Sequence, residues 1–106
     1  MKVSLREVKM NKTEAQFQQL LRHDPSVLWA GYAAIKFMVG TDTCYYTPDF
    51  VVVTKDEIRV YEVKGFWRDD ALVKIKAAAD RYRWLRWFAV KKGKNGWEYR
   101  EFWGQK

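Results

Sequence analysis

The run Phe50-Val51-Val52-Val53, the polar Thr54-Lys55-Asp56-Glu57 and the returning segment from Ile58 to Lys64 constrain this chain more than any other stretch. A β-branched run of that length is too short for a helix and suits a buried strand. The polar quartet supplies a turn, so the segment predicts an antiparallel hairpin centred near Lys55 and Asp56. Strand side chains alternate between faces, which sets Ile58, Val60, Glu62 and Lys64 on one face and Arg59, Tyr61 and Val63 on the other. Asp49 opens the first arm after Pro48, and the hairpin brings it opposite about position 62. Two carboxylates and an ammonium group therefore converge at one sheet edge, where ordinary strands place valines.

That cluster has a chemical use. Two nearby carboxylates repel, and neither is comfortable half-buried without a cation between them. Hard oxygen ligands with room left for water suit Mg²⁺. A lysine two residues along can orient or deprotonate an attacking water and neutralise charge developing on a phosphate. These are the parts of phosphodiester hydrolysis. Taken alone, Glu62 and Lys64 also fit a surface salt bridge worth under about 1 kcal/mol; Asp49 on the other arm favours the chemistry.

Upstream, Asn11 and Glu14 have the spacing of a capping box, and Phe17, Leu20 and Leu21 supply an apolar face, so a helix is expected from about Lys12 to Arg22. His23-Asp24-Pro25 should end it, because proline disfavours helical geometry at the preceding residue. Ile35, Phe37 and Val39 alternate with Lys36 and Met38 and read as a strand. Downstream, a second helix is expected to begin near Asp69 or Asp70, with Leu72, Ile75, Ala79 and Tyr82 as one apolar stripe. Trp87 to Lys91 and Trp97 to Trp103 read as strands joined by a turn at Gly93-Lys94-Asn95-Gly96. The order α-β-β-β-α-β-β contains a crossover helix. It predicts an α/β fold with a mixed sheet, helices on its faces, and one domain over residues 1–106.

Composition narrows the function. Hydrophobic residues make up 48% and aromatics 17% of the 106 residues, enough for a folded core. A single cysteine, Cys44, excludes an intramolecular disulfide and a cysteine-rich zinc site; it reads as a small core residue in a reducing compartment. A single histidine, His23, leaves no Ser-His-Asp triad. No apolar run approaches the roughly 20 residues of a membrane span, and no N-terminal segment resembles a signal peptide. A cytoplasmic protein without a membrane partner is expected. The net charge of +7 is uneven: residues 1–65 carry 9 basic and 8 acidic side chains, residues 66–106 carry 11 and 5. A basic half interleaved with Trp67, Trp84, Trp87 and Trp97 points to a nucleic-acid partner, the alternative being a solvated basic face. The expected DNA contacts are Lys74, Lys76, Arg81, Arg83 and Arg86, a spread that suits phosphate tracking and shape recognition.

The stretch "TPDF" followed by "YEVKG" resembles the PD-(D/E)XK signature of the restriction-endonuclease-like nuclease superfamily, over Lys12 to about Val90. The resemblance implies an αβββαβ core, here followed by a further C-terminal strand. Within it, "YTPDF", "EVKGFW" and Asp69-Asp70 are similar to the phage endonuclease I group of Holliday junction resolvases. Position by position, Asp49 and Glu62 would be metal ligands together with the backbone carbonyl of Val63, and Lys64 would be the catalytic lysine. The implied cofactor is Mg²⁺, for which Mn²⁺ can substitute. Many members carry an acid in the first helix, where Glu14 stands; the alternative is a capping glutamate with no chemistry. Members of the resolvase group act as dimers that place two sites on two strands, and this chain departs from their pattern in having only Met1 to Met10 before the first helix.

The expectation is a Mg²⁺-dependent endodeoxyribonuclease selective for branched or distorted DNA, in phage or microbial DNA recombination. As the resemblance implies, it would leave 5′-phosphate and 3′-hydroxyl ends. Rivals are a restriction, homing or repair nuclease of the same fold and a non-catalytic DNA-binding module. The intact set Asp49, Glu62 and Lys64 argues against the module, since a binder gains nothing from two acids facing phosphate. Abundant tryptophan in a small chain adds a homodimer to the expectation, and DNA binding should weaken steeply with salt.

Overall fold

The computed structural model describes residues 9–40, 44–68 and 72–103. Helix α1 spans Lys12–Arg22, and its start is the expected capping box. The Glu14 N–H donates to Asn11 Oδ1 at 2.8 Å, and the Asn11 N–H donates to Glu14 Oε1 at 2.9 Å. Phe17, Leu21 and Glu14 form the buried side of the helix. It stops at His23, whose backbone N–H donates to Gln19 O, two residues before Pro25.

The next segment differs from the sequence expectation. The first strand of the main sheet is β1, Val27–Tyr32, upstream of the alternating Ile35 to Val39 stretch. Burial rises along β1 to Ala30, Gly31 and Tyr32 instead of alternating, and its register slips between Val27 and Trp29. A strand of that kind leaves no period-2 signal. Its glycine is required, because a Cβ on Gly31 would lie 2.4 Å from the Trp29 ring. The expected strand is reduced to β2, Phe37–Met38, which pairs with β3, Tyr45–Tyr46, in a separate two-stranded sheet. Phe37 packs edge-on against Tyr82 and Trp87, so the segment caps one core from outside. Cys44, leading into β3, is exposed and not the core residue expected, because it precedes Tyr45 and Tyr46, of which only Tyr46 turns into the core.

The remaining strands are β4 (Phe50–Thr54), β5 (Ile58–Val63), β6 (Arg86–Gly93) and β7 (Gly96–Phe102), with helix α2 (Val73–Arg81) between β5 and β6. The expected helix start at Asp69 or Asp70 lies outside the described residues. Leu72, Ile75, Ala78 and Ala79 are buried and Tyr82 packs beside them, the apolar stripe read from the spacing. The main sheet has the order β1-β4-β5-β6-β7. It is antiparallel except for β5 and β6, which the α2 crossover makes parallel. The β6–β7 turn pairs Gly93 with Gly96, and Gly96 takes a φ of 119°, a conformation that favours glycine.

The two sheet faces carry separate cores. Phe17 and Leu21 of α1 cover Tyr32, Phe50, Val52, Tyr61, Val63 and Val90. On the other face α2 covers Val60, Trp87, Ala89 and Phe102. Because β5 and β6 are parallel, the positions after Tyr61 and after Phe88 share one end of the sheet, and the antiparallel β4 begins there, next to Asp49. Ile58, Arg86 and the hairpin turn lie at the other end. Among the described residues no helix is long and apolar enough to cross a membrane.

Candidate active site

The hairpin register runs from Phe50 beside Tyr61 to Val53 beside Ile58, which sets Asp49 level with the end of β5. Fully buried Pro48 anchors the approach, and the Ala33 N–H donates to the Asp49 carbonyl at 2.8 Å. Ala33 holds a φ of 49°, unusual for a residue with a Cβ, so the chain turns sharply from β1 to reach this point. The Asp49 side chain crosses to the neighbouring strand: its Oδ2 accepts from the Val63 N–H at 2.8 Å.

Glu62 is held by two donors. Tyr46 OH donates to its Oε1 at 2.6 Å, and Lys64 Nζ lies 3.1 Å from its Oε2. The Glu62 side chain is 12% exposed and that of Lys64 is 31% exposed, so the pair borders solvent without being swept by it. Glu14 reaches the same end from α1. Its Oε1 accepts from Tyr32 OH at 2.9 Å in addition to the capping bond, and its carboxyl interacts with that of Asp49. The capping role and a place beside the acidic pair are therefore compatible in one side chain.

Electrostatics at this point are unfavourable for a bare acid. Burial, then the Glu62 charge, push the Asp49 carboxyl up to about 8, with Glu14 adding to the rise and the Val63 N–H opposing it. Burial also raises Tyr46 and Tyr32 well above the usual phenol range, with Glu62 and Glu14 adding to it, so both hydroxyls are neutral donors at any physiological pH.

Among the described residues no three His, Cys, Asp or Glu side chains stand as a ready metal cage. Mg²⁺ asks for less: one or two carboxylates, with water completing the shell. Asp49 and Glu62 form such a pair of hard donors, and their mutual repulsion is relieved by a divalent cation, so the residues fit one.

The basic side chains divide. Lys74 Nζ lies 3.3 Å from Tyr45 O and so contacts β3, the element that supplies Tyr46. Lys76 is exposed on α2, and Arg81 extends toward Gly40 O and Met38 Sδ. Arg83 pairs with Asp80, and Arg86 is pinned between Glu57 and Glu101 at the opposite end of the sheet. His23 Nδ1 is spent on Gln19 O at the helix end. Sequence reasoning missed Tyr32 and Tyr46, whose roles depend on contacts 18 and 16 residues away in the chain. A scan against protein-family models finds no match, and searches of the curated proteins and of the solved structures find none either.

Proposed function

We propose that the chain is a Mg²⁺-dependent endodeoxyribonuclease of the restriction-endonuclease-like class, acting on branched DNA in the manner of a junction resolvase. One observation carries the reading: Asp49 and Glu62, on adjoining strands and tied through the Val63 N–H, share a sheet end with Lys64. The run β1-β4-β5-β6, antiparallel twice and then parallel, with a helix on each face, supports the fold part of the proposal.

Asp49, Glu62 and the Val63 carbonyl would hold the cation, which when bound supplies Lewis-acid polarisation of the phosphate. Lys64 places its charge where negative charge builds on the phosphate oxygens and orients the attacking water. Tyr46 fixes Glu62 and Tyr32 fixes Glu14, so both carboxylates are positioned before substrate arrives. In-line attack leaves 5′-phosphate and 3′-hydroxyl ends. Cutting both strands of a junction needs two such sites, so the proposal includes a homodimer.

Incubation with linear, nicked, flapped and four-way DNA, with and without Mg²⁺, tests the proposal, with light scattering for the mass. Cleavage of the four-way substrate in Mg²⁺ by a dimer is expected. A monomer that cuts plain duplex at one defined sequence would instead favour the restriction-like rival. Binding without cleavage in either Mg²⁺ or Mn²⁺ would favour the module.

Glu14→Gln separates cap from site. The Gln amide oxygen can accept both bonds that Glu14 Oε1 now accepts, and glutamine is tolerated in a capping box. Stability should change by under about 1 kcal/mol. Removing the charge beside Asp49 should raise the Mg²⁺ concentration needed for half-maximal cleavage. A Mg²⁺ titration identical to wild type would leave Glu14 as a cap alone.

A further inference from the structure

Lys91 has no role in the proposal above, yet it stands beside Lys64. Val63 pairs with Val90 in the parallel ladder, and the Lys64 N–H donates to Val90 O at 2.7 Å. Continuing that register sets Lys91 next to Lys64 on the adjoining strand, about 5 Å away across the ladder. Alternation puts both on the face that carries Val60, Trp87 and Ala89. Like charges side by side on one sheet face repel, and Glu62, 3.1 Å from Lys64 Nζ, offsets this from the Lys64 side alone. An anion between them removes that cost.

The surroundings hold Lys91 in place without cancelling its charge. Its Nζ lies 4.6 Å from the centroid of the Trp67 ring. Its nearest carboxylate, Glu98 Oε1, is 3.8 Å away on a side chain 52% exposed, a long and solvated pair that contributes little. An aromatic face attracts an ammonium group but leaves its charge available to a further partner. Trp67 follows Lys64 by three residues, and among the described residues its Nε1 is the buried side-chain polar atom with no hydrogen-bond partner. Buried donors are ordinarily satisfied, and an acceptor oxygen brought by a ligand would satisfy this one.

We infer that Lys91, seated on the Trp67 ring, binds the phosphate next to the scissile one in a DNA strand lying over the Asp49, Glu62 and Lys64 site. The inference rests on the nuclease proposal and deepens it: neighbouring phosphates of one strand meet neighbouring cations of adjoining strands. Lys91 thereby sets the register of the strand, while Lys64 serves the bond that breaks. The DNA path then crosses the carboxylate end of the sheet and leaves Arg86, already paired twice, outside it.

Salt-dependent binding tests this without relying on cleavage. Anisotropy of a labelled four-way junction would be followed in EDTA across a salt series for wild type, Lys91→Met, Lys91→Arg and Lys55→Met. Lys91→Met should reduce the slope of log K against log salt by about 0.9, the equivalent of one phosphate. Lys91→Arg should restore it, which a merely structural role would not predict. Lys55→Met, with the same charge loss at the opposite sheet end, should leave the slope unchanged. Trp67→Phe keeps an aromatic seat but removes the indole N–H, so it should weaken binding several-fold at an unchanged slope. A wild-type slope in Lys91→Met overturns the inference while leaving the nuclease proposal standing, and an equal loss in Lys55→Met overturns it too. A wild-type chain that binds no DNA overturns both.

Discussion

Asp49→Asn should abolish cleavage and, in the absence of metal, make the protein more stable than the wild type by a margin that grows as the pH rises. The two effects have one cause. In the folded chain burial and the Glu62 charge hold the Asp49 carboxyl up to about 8, against 3.8 for an aspartate in water. Between those values the folded state binds a proton that the unfolded state has released, so stability falls with rising pH across that interval. It is fully present below about pH 4 and the loss is complete above about pH 8, on the order of a few kcal/mol. Asparagine carries no such charge, and its amide oxygen can still accept from the Val63 N–H. The difference in Tm between variant and wild type should therefore be small near pH 4.5 and reach on the order of 10 °C at pH 9 in EDTA. Mg²⁺ should raise the Tm of wild type and not that of the variant, because a ligand stabilises only the state that binds it. Thermal melts from pH 4.5 to 9, with cleavage assays in Mg²⁺, give both readouts. Full cleavage by the variant would remove Asp49 from the site. A Tm difference that does not change with pH would show that the acid is not held under burial and repulsion.

The placement of Asp49, Glu62 and Lys64 at one sheet end was legible in the sequence for a local reason. Asp49, Glu62 and Lys64 sit on a hairpin with local register, where the turn residues and the period-2 pattern determine which positions meet. The helix α1 boundaries were equally legible, because Asn11, Glu14 and Pro25 are local signals acting within one turn. Strand β1 was not. Its register slip and its run of consecutive buried residues are set by pairing with β4, a partner some twenty residues on, which no local window of sequence contains. The tyrosine partners failed for the same reason: Tyr46 finds Glu62 only because β3 folds over the face that α2 covers. The basic residues were read from charge and spread alone, which say nothing of the sheet end each one occupies. Arg86 stands at the start of β6, and a parallel crossover carries that position to the end of the sheet opposite Glu62, while bringing Lys91 beside Lys64. Charge composition counts the basic side chains; topology decides which of them stand together.

Lys64→Met should cost the chemical step far more than it costs affinity. Methionine keeps much of the length and apolar volume of the stem and removes only the ammonium group, which now lies 3.1 Å from Glu62 Oε2. Glu62 keeps its Tyr46 donor, so the carboxylate stays in position, and loss of a part-exposed ion pair should alter stability by under about 1 kcal/mol. A charge that matters because negative charge grows on the phosphate acts more strongly in the transition state than in the bound substrate. Removing one preorganised donor of that kind lowers the rate by roughly 10²–10³-fold. Single-turnover cleavage at saturating protein should fall by that factor, while DNA affinity in EDTA changes only a few-fold. The comparison isolates Lys64 from Lys91, whose loss should weaken binding and flatten its salt dependence. Should Lys64→Met bind more weakly yet cleave at the wild-type single-turnover rate, Lys64 would be a phosphate contact and the catalytic charge would have to come from elsewhere.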